Sequence, residues 1–80
     1  EYGIDEIEIH RDAIAPGMKV TLIDDVLATG GTLEAAIALL ADAGGVLSSI
    51  IVLLEISGLN GRVRIEQAAP NIPVHALVTV

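Results

Sequence analysis

Val20-Thr21-Leu22-Ile23-Asp24-Asp25-Val26-Leu27-Ala28-Thr29-Gly30-Gly31-Thr32 is the stretch that decides the fold of this 80-residue chain. Val20 to Ile23 is a short aliphatic run with strong strand preference. The two acids that follow are expected to end that strand. Beyond the glycine pair, Leu33, Ala36, Ile37 and Leu40 recur at helical spacing, with Glu34 and Asp42 off the stripe and Gly44-Gly45 as a stop. The spacing predicts one helix of about three turns. Val46 to Ile56 is then nearly all apolar apart from Ser48, Ser49 and Glu55, as expected of a strand covered on both faces. Strand, helix, strand is a βαβ unit, and such crossovers are right-handed and parallel. The fold class is therefore α/β, a parallel sheet with helices packed on it.

Working outward, Pro16-Gly17 marks a turn before the first of these strands. Upstream, Ile7 and Ile9 alternate with Glu6, Glu8 and His10, the period of an edge strand with one wet face. Downstream, Asn60 to Ala69 is read as a short helix, and Val74 to Val80 alternates as a last strand. Residues 1–80 make part of a single domain of marginal size, able to bury only a modest core. That core must be aliphatic, because 52% of the residues are hydrophobic while Tyr2 is the sole aromatic. So apolar a chain is not intrinsically disordered.

The net charge of -7 repels polyanions, and the stacking aromatics of single-strand binders are lacking, so nucleic acid is excluded as a partner. With no cysteine there is neither a disulfide nor a thiolate metal site, which fits a reducing cytoplasm. The longest apolar run, Ile50 to Leu54, is far short of the roughly 20 residues of a membrane span. His10 and His75 have no companions at metal-ligand spacing and read as ordinary surface or strand residues. Arg62 and Arg64 read as partners in surface ion pairs.

The chemistry lies in the connection between the first strand and the first helix, where ligands of open α/β sheets sit. Free N–H groups and the dipole at that helix start favour an anion. Gly30 and Gly31 remove side chains that would block close approach, and both can take positive φ, so that successive N–H groups curl into a nest. Thr29 and Thr32 add hydroxyl donors. These groups converge on one phosphate, while Asp24 and Asp25 are acceptors suited to vicinal hydroxyls. The ligand expected of the whole run is a ribose phosphate. A lone Gly-Gly would mean no more than a loop end with Thr32 capping the helix; the full run is far more specific.

This run resembles the PRPP-binding signature of the type I phosphoribosyltransferases: apolar strand, two acids, two apolar positions, small phosphate loop. The resemblance gives Asp24 and Asp25 contacts to the ribose hydroxyls, and Ala28, Thr29, Gly30, Gly31 and Thr32 the 5-phosphate. Alanine at position 28 lacks the aspartate that hypoxanthine-type enzymes carry there and the threonine usual in orotate enzymes. Asp24 to Thr32 is similar to the adenine-specific branch of the family. So are Glu1-Tyr2-Gly3, like that branch's catalytic loop, and the run Leu54-Glu55-Ile56-Ser57-Gly58-Leu59-Asn60-Gly61-Arg62, like its Glu-x-x-x-Leu-x-Gly-Arg pattern. Where many relatives carry Lys or Thr, this chain has Ile4.

What the resemblance implies is the type I fold with its amino-terminal half missing, the base-binding hood and pyrophosphate loop preceding Glu1. The implied reaction belongs to purine salvage and joins adenine to PRPP, giving AMP and pyrophosphate, with Mg²⁺ bound through PRPP, in a cytoplasmic homodimer. Such a fragment is expected to be inactive by itself. Glu1 is then the proton-handling catalytic residue, although from the residues alone it is a frayed terminal side chain. Tyr2 would help close the loop over the substrate. Leu59 is implied to pack on the adenine face; as an apolar residue after Gly58 it reads equally well as core. Two alternatives stay open: a PRPP-sensing regulatory module without turnover, and a phosphoribosyltransferase for another purine or pyrimidine.

Overall fold

The computed structural model of the chain describes residues 14–80. The expected edge strand at Ile7 and Ile9 and the Glu1-Tyr2-Gly3 segment, with the catalytic role of Glu1, lie outside the described residues. Ala15 to Met18 form the expected turn, closed by the Met18 N–H on the Ala15 carbonyl at 3.0 Å, with Gly17 at φ 80°. There follow β1 (Lys19–Leu27), α1 (Gly31–Asp42), β2 (Val46–Glu55), a single 3₁₀ turn (Ser57–Leu59), α2 (Gly61–Ala68) and β3 (Val74–Thr79).

The described strands are all parallel and lie in the order β1-β2-β3. Two successive right-handed crossovers that step in the same direction put both helices on the same face of a sheet. Accordingly α1 packs on β1, β2 and α2. The core between sheet and helices is the aliphatic cluster Leu27, Leu33, Ile50, Val52 and Ile65. The helical stripe read from the sequence holds, since Leu33 and Leu40 are buried, and Ala36 and Ile37 half-buried. Gly44, at φ 86°, terminates α1: its N–H reaches the Ala41 carbonyl and that of Gly45 the Leu40 carbonyl, a left-handed cap open to glycine.

Two expectations change. β1 does not end at the acids but continues through them to Leu27, because its pairing with β2 persists as far as Leu27 opposite Glu55. Ladder pairing overrides the weak strand preference of aspartate. Nor is β2 covered on both faces by the described residues. Its Ile50 and Val52 are fully buried beneath the helices, whereas Leu53 on the other side is 52% exposed, with Ile23 and Leu77 more so. The one-sided placement of α1 and α2 is the cause. No helix among the described residues is long and apolar enough to cross a membrane.

Candidate functional site

The turn between β1 and α1 is slung between two buried leucines, Leu27 and Leu33, which fix its ends in the core. Between them the chain leaves the carboxyl edge of the sheet, the edge where α/β proteins bind ligands. Gly30 is the N-cap of α1 with φ 90° and ψ -2°, a left-handed geometry natural to glycine, and α1 has no side-chain cap. Its carbonyl accepts the Glu34 N–H at 2.9 Å, the first helical bond. Among the described residues, no backbone acceptor takes the N–H groups of Gly31, Thr32 or Leu33. These donors face a cavity of about 50 Å³ lined by residues 26–33, Ala28, Thr29, Gly30, Gly31 and Thr32 among them. On a scale where about 10–15 Å³ holds one water, this is room for a group of a few heavy atoms.

Only one of the two glycines has positive φ. Gly31 is the first residue of α1, and a Cβ placed on it would make ordinary contacts, 3.5 Å to Arg64 Nη1 and 3.8 Å to Thr29 Oγ1. The expectation of positive φ at Gly31 is thus corrected, because the helix has already begun there.

Asp24 and Asp25 stand three residues before this turn, half-buried and exposed respectively. Oδ1 of Asp24 accepts the Asp25 N–H at 2.8 Å, and Oδ1 of Asp25 accepts the Val26 N–H at 2.9 Å. Each carboxylate is thereby drawn toward the carboxyl end of β1, the end that carries the turn. Burial raises the Asp24 carboxyl above its ordinary 3.8, and the Asp25 side chain adds to the rise against the lowering effect of the Asp25 N–H. The pair lies on β1 just ahead of the cavity-lining residues 26–33, and offers oxygen acceptors suited to hydroxyls where the turn offers N–H donors suited to an anion.

Leu59 closes the 3₁₀ turn that leaves the carboxyl end of β2, the same edge of the sheet as the β1–α1 turn. It is 49% exposed and so stands outside the core formed by the described residues. The described residues therefore bring Asp24, Asp25, the turn and Leu59 to one edge.

Residues that the sequence reading left out of the site support it from behind. Glu55, the last residue of β2, is buried at 7% exposure and is gripped by Arg62. Arg62 thus forms the expected ion pair, but with a buried partner and with its own side chain 34% exposed, and it also donates from Nη1 to the Val74 carbonyl at 2.9 Å. Hydrogen bonds from Arg62 hold the Glu55 carboxyl below its usual value, and Glu55 in turn raises the Arg62 guanidinium. The sequence signal for this pair was an acid inside an apolar strand, which cannot be buried without a cation. Arg64 does form the expected surface pair, with Glu34 of α1 at 2.8 Å. His75 lies exposed on β3.

Comparison with known proteins accords with this arrangement. Residues 3–70 match the model of the phosphoribosyl transferase domain family. The adenine phosphoribosyltransferase of Butyrivibrio fibrisolvens is 53% identical over 66 residues, 82% of this chain and 37% of the relative. That of Streptomyces coelicolor is 46% identical over the whole chain, which covers 44% of it. The chain thus spans less than half the length of these curated relatives. Among solved structures, adenine phosphoribosyltransferase of Rhodothermus marinus superposes with a TM-score of 0.84 at 48% identity, over 100% of this chain and 44% of its own. The Trypanosoma brucei enzyme in complex with AMP, pyrophosphate and ribose-5-phosphate gives 0.72 at 34% identity, over 79% of this chain and 28% of its own. With a family match over most of its length and the parallel βαβ architecture of these type I structures, the chain belongs to the phosphoribosyl transferase domain family.

Proposed function

We propose that this chain is the ribose-phosphate-binding part of an adenine phosphoribosyltransferase, a pentosyltransferase that joins adenine to PRPP and releases AMP and pyrophosphate. The observation that carries the proposal is the juxtaposition of free N–H groups at the start of α1 with the Asp24-Asp25 pair at one sheet edge. The adenine-specific relatives, and the Trypanosoma brucei complex with AMP, pyrophosphate and ribose-5-phosphate, support it.

In this reading Asp24 and Asp25 accept hydrogen bonds from the ribose hydroxyls, and the turn from Ala28 to Thr32 holds the 5-phosphate. Both act by positioning, fixing the anomeric carbon while its bond to pyrophosphate breaks and the bond to the adenine nitrogen forms. Leu59 supplies an apolar surface for the adenine ring, and Glu1 receives the proton that adenine gives up. Among the described residues no three His, Asp or Glu side chains gather as a metal cage. The hard oxygens of Asp24 and Asp25 nevertheless suit a Mg²⁺ carried on PRPP, which would neutralise the pyrophosphate leaving group. A cytoplasmic homodimer is part of the same proposal, and sedimentation of the full-length protein measures its oligomeric state.

The test is direct. Full-length protein incubated with PRPP, Mg²⁺ and either adenine, hypoxanthine or orotate, with products separated by chromatography, should form AMP from adenine in preference to the other nucleotides. Turnover of hypoxanthine or orotate instead would reassign the base. PRPP binding without any turnover would favour a sensor.

A further inference from the structure

We propose that Gly61 is a positioning residue for the phosphate-binding turn. Its missing side chain seats α2 directly against the Ala28 carbonyl, and the Glu55–Arg62 pair holds α2 in that seat. The inference rests on the phosphate-binding reading given above and extends it to a residue outside the turn.

The contact is backbone against backbone from both sides. A Cβ on Gly61 would run into the carbonyl oxygen of Ala28 and lie 3.0 Å from its carbonyl carbon and from Leu27 Cδ1. In the other direction, a Cβ on Gly30 would lie 2.9 Å from the Gly61 carbonyl oxygen and 3.3 Å from its Cα. Gly61 and Gly30 are both buried, so the seat is closed to solvent.

Which side would yield to an added methyl group follows from how each is held. Gly61 opens α2, preceded by Asn60 in the left-handed region at φ 57°. Arg62, the next residue, is fastened to Glu55 at the end of β2 and to the Val74 carbonyl at the start of β3. Helix α2 is therefore anchored to two strands through one guanidinium. Among the described residues the turn has no comparable clamp: it is held by the burial of Leu27, Gly30 and Leu33, and Thr29 is exposed. An added methyl group moves the turn, and the N–H groups that must converge on a phosphate move with the Ala28 carbonyl. Leu59, on the anchored side, keeps its place.

The experiment compares wild type with Gly61→Ala in the full-length protein, using calorimetric titration with ribose 5-phosphate and steady-state KM values for PRPP and for adenine. A displacement of this kind is expected to weaken ribose 5-phosphate roughly tenfold and to raise KM for PRPP similarly, leaving KM for adenine within about twofold. A folded Gly61→Ala variant with unchanged ribose 5-phosphate affinity overturns the inference. So does an equal rise in both KM values, the mark of general loosening. If Gly61→Ala does not fold, Arg62→Lys decides. It keeps the charge but loses the planar fork that clamps α2, so the seat under the Ala28 carbonyl loosens together with Leu59. Ribose 5-phosphate affinity must fall, with KM for adenine free to rise, and unchanged ribose 5-phosphate affinity overturns the inference. Wild type that binds no ribose 5-phosphate overturns the function proposed above, and this inference with it. Wild type that binds it, beside a variant that binds it equally well, overturns this inference alone.

Discussion

Arg62 donates from Nε to both carboxylate oxygens of Glu55, at 3.2 and 3.0 Å, and from Nη2 to one of them at 2.7 Å. The end of β2 and the first turn of α2 thereby move as one piece. An otherwise apolar strand carries a buried acid because the acid is fully partnered.

Acid stability should report on this pair. The Glu55 carboxyl is held below its ordinary 4.5 chiefly by the Arg62 hydrogen bonds, so the folded state binds this proton less readily than the unfolded chain does. Its contribution is complete above the unfolded value and is lost as pH falls through the depressed folded one. Glu55→Gln is expected to cost roughly 1–3 kcal/mol at neutral pH, as hydrogen bonds to a charged group do. Urea melts at pH 7 and below pH 4 should show the gap between variant and wild type narrowing in acid. A constant gap would contradict the assignment.

Asp24 behaves in the opposite sense. Burial raises its carboxyl, so its ionised form opposes folding above the unfolded value of 3.8, and stability is recovered as pH falls through the raised folded value. Asp24→Asn should therefore raise the melting temperature at pH 7 while weakening PRPP binding, a site residue retained against stability. The gain should fade toward low pH. A variant less stable at pH 7 would show that the carboxylate is fully compensated in the fold.

The two glycines of the turn should respond differently to a methyl group. At Gly30, with φ 90° and only 2.9 Å to the Gly61 carbonyl, Ala is expected to cost about 1–2 kcal/mol from the left-handed backbone, with crowding in addition. At Gly31, where the nearest atom is 3.5 Å away and the backbone is already helical, Ala should be close to neutral. Chemical denaturation of the two variants side by side measures the difference, and equal losses would refute it.

The core beneath the site is thin, so single deletions there should be severe. Ile50 is fully buried in the central strand. Ile50→Ala is expected to cost about 2–5 kcal/mol. Thermal unfolding followed by circular dichroism reads the effect, and a loss under 1 kcal/mol would mean that the site collapses around the gap.

By itself the sequence determined the elements and their order. The aliphatic stripe from Leu33 to Leu40, the apolar run of β2 and the glycine stops dictate strand, helix and strand, because periodicity and backbone freedom are local properties. It also marked the turn from Ala28 to Thr32 and the two acids, whose residue types specify hydrogen-bond chemistry wherever they are placed. Only the tertiary structure decided how far β1 runs, since its end is set by pairing with β2 and not by the preference of aspartate. The same holds for which glycine is left-handed, for Leu59 lying at the edge instead of in the core, and for Arg62 turning inward to Glu55. Each of these depends on segments brought together by the crossovers, and a contact between residues far apart in the chain leaves no period in the sequence. The seat of Gly61 against Ala28 is of this kind: 33 positions separate the two residues, and only the packing of α2 on the turn requires that one of them have no side chain.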